Sequence, residues 1–277
     1  MRLLKQLIPV VLVSFIGGQG VGALTGNALL TLIVGLATAV LAVFVYAWTV
    51  RWSERRAPVE VAAKGAAERV GLGVLIGVAW FAAVIVNLAF LGYYRVDGFG
   101  SVAGPVGLFG FMAAAAVTEE LMFRGVLFRL IEERTGTWIS LALTSVLFGL
   151  WHLLNPDATV WGAVAVAIEA GGALGAAYAA TRKLWLPIGL HFGWNFAESG
   201  IFGSEVSGNG STQGVLHSVT SGPSLVTGGQ FGPEASPYTI LFGVLMTVVF
   251  MWLARRRGNL VPMRRDARHA ATATLAA

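Results

Sequence analysis

The sequence predicts an all-α polytopic membrane protein of about eight transmembrane helices. Three observations carry that prediction: the residue balance, the lengths of the apolar runs, and the placement of Lys and Arg. Of 277 residues, 56% are hydrophobic and 12% charged, against roughly 45–50% and 25% in soluble domains. Eight segments are apolar over enough residues, or nearly enough, to cross about 30 Å of hydrocarbon at ~1.5 Å per helical residue. They run approximately over 6–24, 28–50, 70–94, 105–131, 137–154, 159–181, 186–203 and 238–254. The fifth, seventh and eighth are shortest, so their ends are the least sharply drawn.

The first span, opening with Arg2 and Lys5, is read as uncleaved; a signal peptide cut near Ala23 is the alternative. After the second span, RWSERRAPVEVAAKGAAER mixes charged and apolar residues in the manner of a short helix lying at the interface. The fourth and fifth spans form a hairpin that turns at Thr135 and Gly136, with Arg129 to Arg134 projecting into the cytoplasm. Glu169, midway along the sixth, is expected to line a cavity or pack there. The connection 204–237 is rich in Gly, Ser and Thr and carries no Lys or Arg. Loops of this length are functional or disordered; its role stays open, and His217 within it is read as solvated. The tail, 255–277, is basic and suited to rest on anionic lipid, and His269 receives no role. Residues 1–277 thus form a single integral membrane domain with its core at 105–203.

Short loops rich in Lys and Arg stay in the cytoplasm. Placing both termini there puts 18 of the 19 basic residues on or toward one side and leaves only Arg95 on the other. The expected location is a bacterial plasma membrane, on the Ala- and Gly-rich style and the absence of eukaryotic targeting signals. A pI near 10 does not imply nucleic acid as a partner, because the charge is spread over membrane-flanking loops; the partner is membrane lipid. With no cysteine, disulfides and thiolate chemistry are excluded.

Against that apolar background, AAAAVTEELMFRGVLF at 113–128 stands out. A charge at the centre of a membrane helix costs about 2.5–3.5 kcal/mol, so Glu119, Glu120 and Arg124 unpaired would cost on the order of 8–10 kcal/mol. Glu120 and Arg124, four apart, share a face and can pair. Glu119, rotated roughly 100° away, must face other helices with its carboxylate uncommitted. The hairpin sets His152 at a depth similar to that of Glu119. His191 and Asn195, four apart on the seventh span, share a face with Glu198 beyond them, and His191 falls nearer the cytoplasmic end. A cavity open toward the cytoplasm accommodates that offset. A lone intramembrane histidine is as readily a helix-to-helix hydrogen-bond donor; Glu, two His and Asn on three helices are harder to explain so. Phe148, Trp151, Trp161, Trp185 and Trp194 are most simply packing and interface residues.

EELMFR at 119–124, FGLWH at 148–152 and HFGWN at 191–195, in this order and on separate spans, resemble the three motifs of the CAAX prenyl endopeptidase and bacteriocin-processing (CPBP) intramembrane proteases. The resemblance covers about 105–203 firmly. It implies peptide-bond hydrolysis within the membrane by a glutamate-based mechanism, on a peptide or protein substrate with or without a lipid. Carried over residue by residue, Glu119 is the base, His152 helps hold and polarise the water, His191 and Asn195 stabilise the oxyanion, and Glu120 and Arg124 organise the site. No cofactor is expected. Zinc held by Glu119, His152 and His191 is the minority alternative, although no His-Glu-x-x-His is present. A transporter and a non-catalytic scaffold or immunity protein are the readings from other classes; no symmetric repeats support the first, and every motif residue is in place against the second.

Overall fold

The computed structural model describes residues 1–210 and 213–263. Among them seven helices are long and apolar enough to cross a membrane: α1 (Arg2–Gly22), α2 (Ala28–Glu54), α3 (Ala66–Phe90), α4 (Gly104–Thr135), α5 (Thr137–Leu154), α6 (Val160–Thr181) and α8 (Pro237–Arg256). Between the last two lies α7, residues 185–201, an α-helix Trp185–Asn195 continued by the π-helical turn Phe196–Ile201. Each matches one expected span. The end of the basic tail, with Arg264, Arg265, Arg268 and His269, lies outside the described residues.

Helix ends follow from local chemistry. Asn27, Thr159 and Ser236 accept from the backbone N–H of Leu30, Gly162 and Tyr238 at 3.1, 2.9 and 3.3 Å, capping the first turns of α2, α6 and α8. Gly136, at φ +81°, makes the break between α4 and α5 where the sequence places it.

Three expectations are corrected. Residues 51–69 hold no helix lying at the interface: α2 runs on to Glu54, and one 3-10 turn, Val59–Val61, precedes α3. The cause is ion pairing, since Glu60 is buried and bonded to Arg56 at 2.7 Å. Arg129 does not project into water. It is 8% exposed and donates to Glu54 at 2.9 Å and to Gln6 at 2.7 Å, tying α4 to α1 and α2. Finally, the third span ends before Tyr94, and β1 (Tyr94–Phe99) pairs antiparallel with β2 (Leu216–Thr220) from the long connection. His217 is exposed on β2, as expected.

Burial separates inner helices from outer ones. Within an apolar 18-residue stretch of each helix, 67% of α4 and of α6 is buried, against 17%, 22% and 28% for α1, α2 and α8. Short α7 is buried along most of its length, and its approach to α3 is backbone to backbone. A Cβ on Gly189 or Gly193 would meet the carbonyl oxygens of Val70 and Val74 at 2.3 and 2.5 Å; one on Gly73 or Gly77 would meet those of Leu186 and Leu190 at 2.4 and 2.3 Å. Small residues four apart on both helices allow this contact, and dispersion and close packing stabilise it in lipid. His191 and Asn195 each lie two residues past one of these glycines, roughly 200° around the helix, so seating the glycines on α3 turns both polar side chains the other way.

Candidate active site

Three of the inner helices leave α-geometry next to the expected site residues: Leu121–Phe128 in α4, Ala167–Gly171 in α6 and Phe196–Ile201 in α7 are π-helical. Such turns are uncommon and gather at functional sites. Here the first contains Arg124 and follows Glu119 and Glu120, the second contains Glu169, and the third follows Asn195. A π turn takes more residues per turn than an α turn, so Glu119 lies closer to Gly136 than regular α-helical rise would put it. The offset expected for His191 does not keep it from Glu119: His191 Nε2 lies 3.9 Å from Glu119 Oε2.

The Glu120–Arg124 pair forms as expected: Arg124 Nη1 donates to Glu120 Oε1 at 2.7 Å, with the side chains 1% and 0% exposed. Arg124 Nη2 also donates to the carbonyls of Ala170 and Gly171, at 3.3 and 3.2 Å, on the π turn of α6. Its guanidinium carbon stands 4.4 Å from the ring centre of Phe148. The charge is thus held by one carboxylate, two carbonyls and an aromatic face, as a buried ion requires. His191 adds a tie that the sequence did not reveal, its Nδ1 donating to the same Glu120 Oε1 at 3.1 Å.

His152 is set by the end of α5. Its backbone N–H turns to the carbonyls of Gly149 and Leu150, starting a 3-10 turn, and its ring Nδ1 donates to the carbonyl of Phe148 at 2.8 Å. Only Nδ1–H can donate there, so in the neutral ring Nε2 carries the lone pair. Phe148 is more than packing: its ring lies 4.8 Å from that of His152 and 5.9 Å from that of His191, centre to centre.

Glu119 stays apart from this network. Its Oε2 is buried without a hydrogen-bond partner and lies 3.9 Å from His191 Nε2. Glu119, His152 and Asn195 all line one cavity of about 80 Å³, whose other walls include Ala115, Asn155, Ser207 and Asn209. A groove of about 510 Å³ between α1 and α4 ends on Glu119, Trp151, Asn155 and Asn209. Behind the imidazoles a void of about 20 Å³, room for roughly one water, is walled by His152, His191, Asn195, Glu169, Trp194 and Glu234. Glu169 lines this void, as expected, with both carboxylate oxygens unpartnered.

All four expected site residues therefore come together. Sequence reasoning missed Asn155, Ser207, Asn209 and Glu234. Glu234 Oε1 accepts from Trp194 Nε1 at 2.9 Å, and Oε2 is bonded to Ser207. The one available signal was the length of 204–237 and its lack of Lys and Arg, with Glu205 and Glu234 as its only charged residues. Asn155, Ser207 and Asn209, in the cavity wall, follow α5 and α7, at the end remote from the Arg- and Lys-bearing connections.

As to metal, no cluster of three or more His, Cys, Asp or Glu side chains among the described residues has the spacing to hold an ion. The Nδ1 atoms of both histidines are engaged as donors.

The family model of Rce1-like type II CAAX prenyl endopeptidases matches residues 101–197, a stretch that includes all three motifs. No curated protein and no solved structure matches the chain.

Proposed function

We propose that this chain, whose residues 101–197 match the Rce1-like type II CAAX prenyl endopeptidase model, hydrolyses a peptide bond at membrane depth with Glu119 as the base. The observation that carries this reading is the free, buried Oε2 of Glu119 at the junction of groove and cavity, 3.9 Å from His191 Nε2. One water molecule can hydrogen-bond to that oxygen and to His152 Nε2. Glu119 takes its proton as the oxygen attacks the peptide carbonyl carbon, then hands the proton to the departing amine, so that acid and amine products form with the carboxylate restored.

Charge building on the carbonyl oxygen is met by Asn195 Nδ2–H and His191 Nε2–H. Such donors in a dry site are worth ~3–4 kcal/mol each. Because Nδ1 of His191 already donates to Glu120, donation from Nε2 requires a doubly protonated ring, and that ring lies between the carboxylates of Glu119 and Glu120. Glu120 and Arg124 act through position. The basic connections set both termini in the cytoplasm. Zinc is not part of the proposal, so a chelator leaves turnover unchanged.

The test is cleavage of a fluorogenic apolar peptide by purified protein and by Glu119→Gln, with Glu68→Gln as the control because Glu68 is exposed on α3. Loss in the first variant alone supports the reading. Turnover that survives Glu119→Gln, or that chelation removes and zinc restores, sinks it.

A further inference from the structure

The position of the mouth decides which face of the membrane supplies the substrate. Basic residues gather at one end of the bundle: Arg55 and Lys183 lie in the α2–α3 and α6–α7 connections and Arg134 in the last turn of α4. Asn155 and Asn209, at the mouth, follow the opposite ends of α5 and α7.

The helix halves that form the groove agree. Its α1 wall runs from Val11 to Val21, away from Arg2 and Lys5, and its α4 wall from Phe111 to Glu119, away from Arg134. Between Glu119 and the basic end the bundle is filled. Leu121, Arg124, Val126 and Phe128 are at most 1% exposed, and the Tyr46 hydroxyl donates to the Gly125 carbonyl at 3.1 Å. A Cβ on Gly125 would meet the Tyr46 ring at 2.8 Å, so no space separates these helices.

With the basic connections in the cytoplasm, we infer that the site receives its peptide from the extracytoplasmic face, along the groove between α1 and α4. This rests on the hydrolase reading of Glu119. Val11, Leu12, Phe15, Phe111 and Ala114 make the groove walls apolar, which suits an extended segment with apolar side chains. Asp157 and Glu205 stand in the loops around the mouth, and Arg95, the basic residue of that face among the described residues, is paired with Asp97 at 2.7 Å. A neutral or cationic segment is favoured over an acidic one.

The chain has no cysteine, so single cysteines report the opening without background. Ala115→Cys sits where groove and cavity meet; Ala63→Cys, exposed in the α2–α3 connection, reports the basic face. A membrane-impermeant maleimide is applied to sealed right-side-out and inverted vesicles. Ala115→Cys is expected to react severalfold faster in right-side-out vesicles and Ala63→Cys severalfold faster in inverted ones. Reaction of both in the same vesicles, or of Ala115→Cys in neither, overturns the inference. An apolar fluorogenic peptide is tested in parallel on both preparations. Cleavage confined to inverted vesicles also overturns it while leaving the hydrolase reading intact, whereas correct labelling with no cleavage in either vesicle type or in detergent removes that reading itself.

Discussion

His191 and Glu120, 71 positions apart, meet through an Nδ1–H···Oε1 bond of 3.1 Å, and the same carboxylate oxygen takes Arg124 at 2.7 Å. One buried carboxylate thus orients the histidine whose other nitrogen faces Glu119. Adjacent glutamates have different circumstances: Glu120 takes Arg124 and His191 on one oxygen, whereas Glu119 faces the cavity with its Oε2 unpartnered.

That asymmetry predicts different failures for the two acids. Glu119→Gln keeps the shape and removes the base, so kcat falls by ~10²–10⁴-fold with thermal stability little changed. Glu120→Gln weakens the ties to Arg124 and His191 and lowers stability as well. Peptide-cleavage rates measured beside thermal unfolding separate the two; full activity in Glu119→Gln with none in Glu120→Gln would reverse the roles.

Arg124→Met leaves Glu120 charged and buried, a change expected to cost about 3–5 kcal/mol. Glu120→Gln combined with Arg124→Met removes both charges and should recover much of that loss. Activity should not return, because His191 has then lost a charged acceptor. Detergent unfolding of the single and double variants, read with cleavage rates, checks both halves.

Asn195→Ala is expected to lower kcat by ~10²–10³-fold, the effect of deleting one oxyanion donor, with KM nearly unchanged. A loss expressed mainly in KM would mean that Asn195 binds the substrate and not its transition state.

Gly193→Val forces a side chain onto the Val74 carbonyl, which an added Cβ would meet at 2.5 Å, and so pushes α7 off α3. Activity and stability should fall together although no polar group has changed. Gly71→Val, at an exposed site on α3 with nothing within 4 Å, serves as the control and should unfold like the parent.

Glu205 gives a pH dependence outside the membrane. Burial, ahead of the neighbouring Asp157 charge, raises its carboxyl above the ordinary range. The folded loop therefore holds a proton that the unfolded chain releases. Stability from this group is present below the usual carboxylate pKa of ~4.3 and is lost as pH rises through the folded value. Protease cleavage within 204–210 should accelerate over that rise, and Glu205→Gln should flatten the profile.

The spans were legible because hydropathy over some twenty residues and the bias of Lys and Arg are local properties that lipid enforces directly. The Glu120–Arg124 pair and the freedom of Glu119 were legible for a related reason: spacing on one helix fixes which side chains share a face. The bond from His191 to Glu120 joins residues on different helices, and no spacing rule reaches across that gap. Residues 204–237 look like polar filler when read alone, yet Ser207 and Glu234 complete the wall behind the imidazoles.

By itself, then, the sequence determined the membrane layout, the polar residues and the face of the helix each one occupies, since these depend on composition and on the period of a single helix. The tertiary structure decided how deep each residue sits, which partner it finds and where the cavity opens. Those depend on three π turns that change helical rise, on glycine contacts that set how closely α7 meets α3, and on a distant connection folding back over the site. Each of these is a property of packing between helices, and packing energy belongs to pairs of surfaces that a single chain segment does not contain.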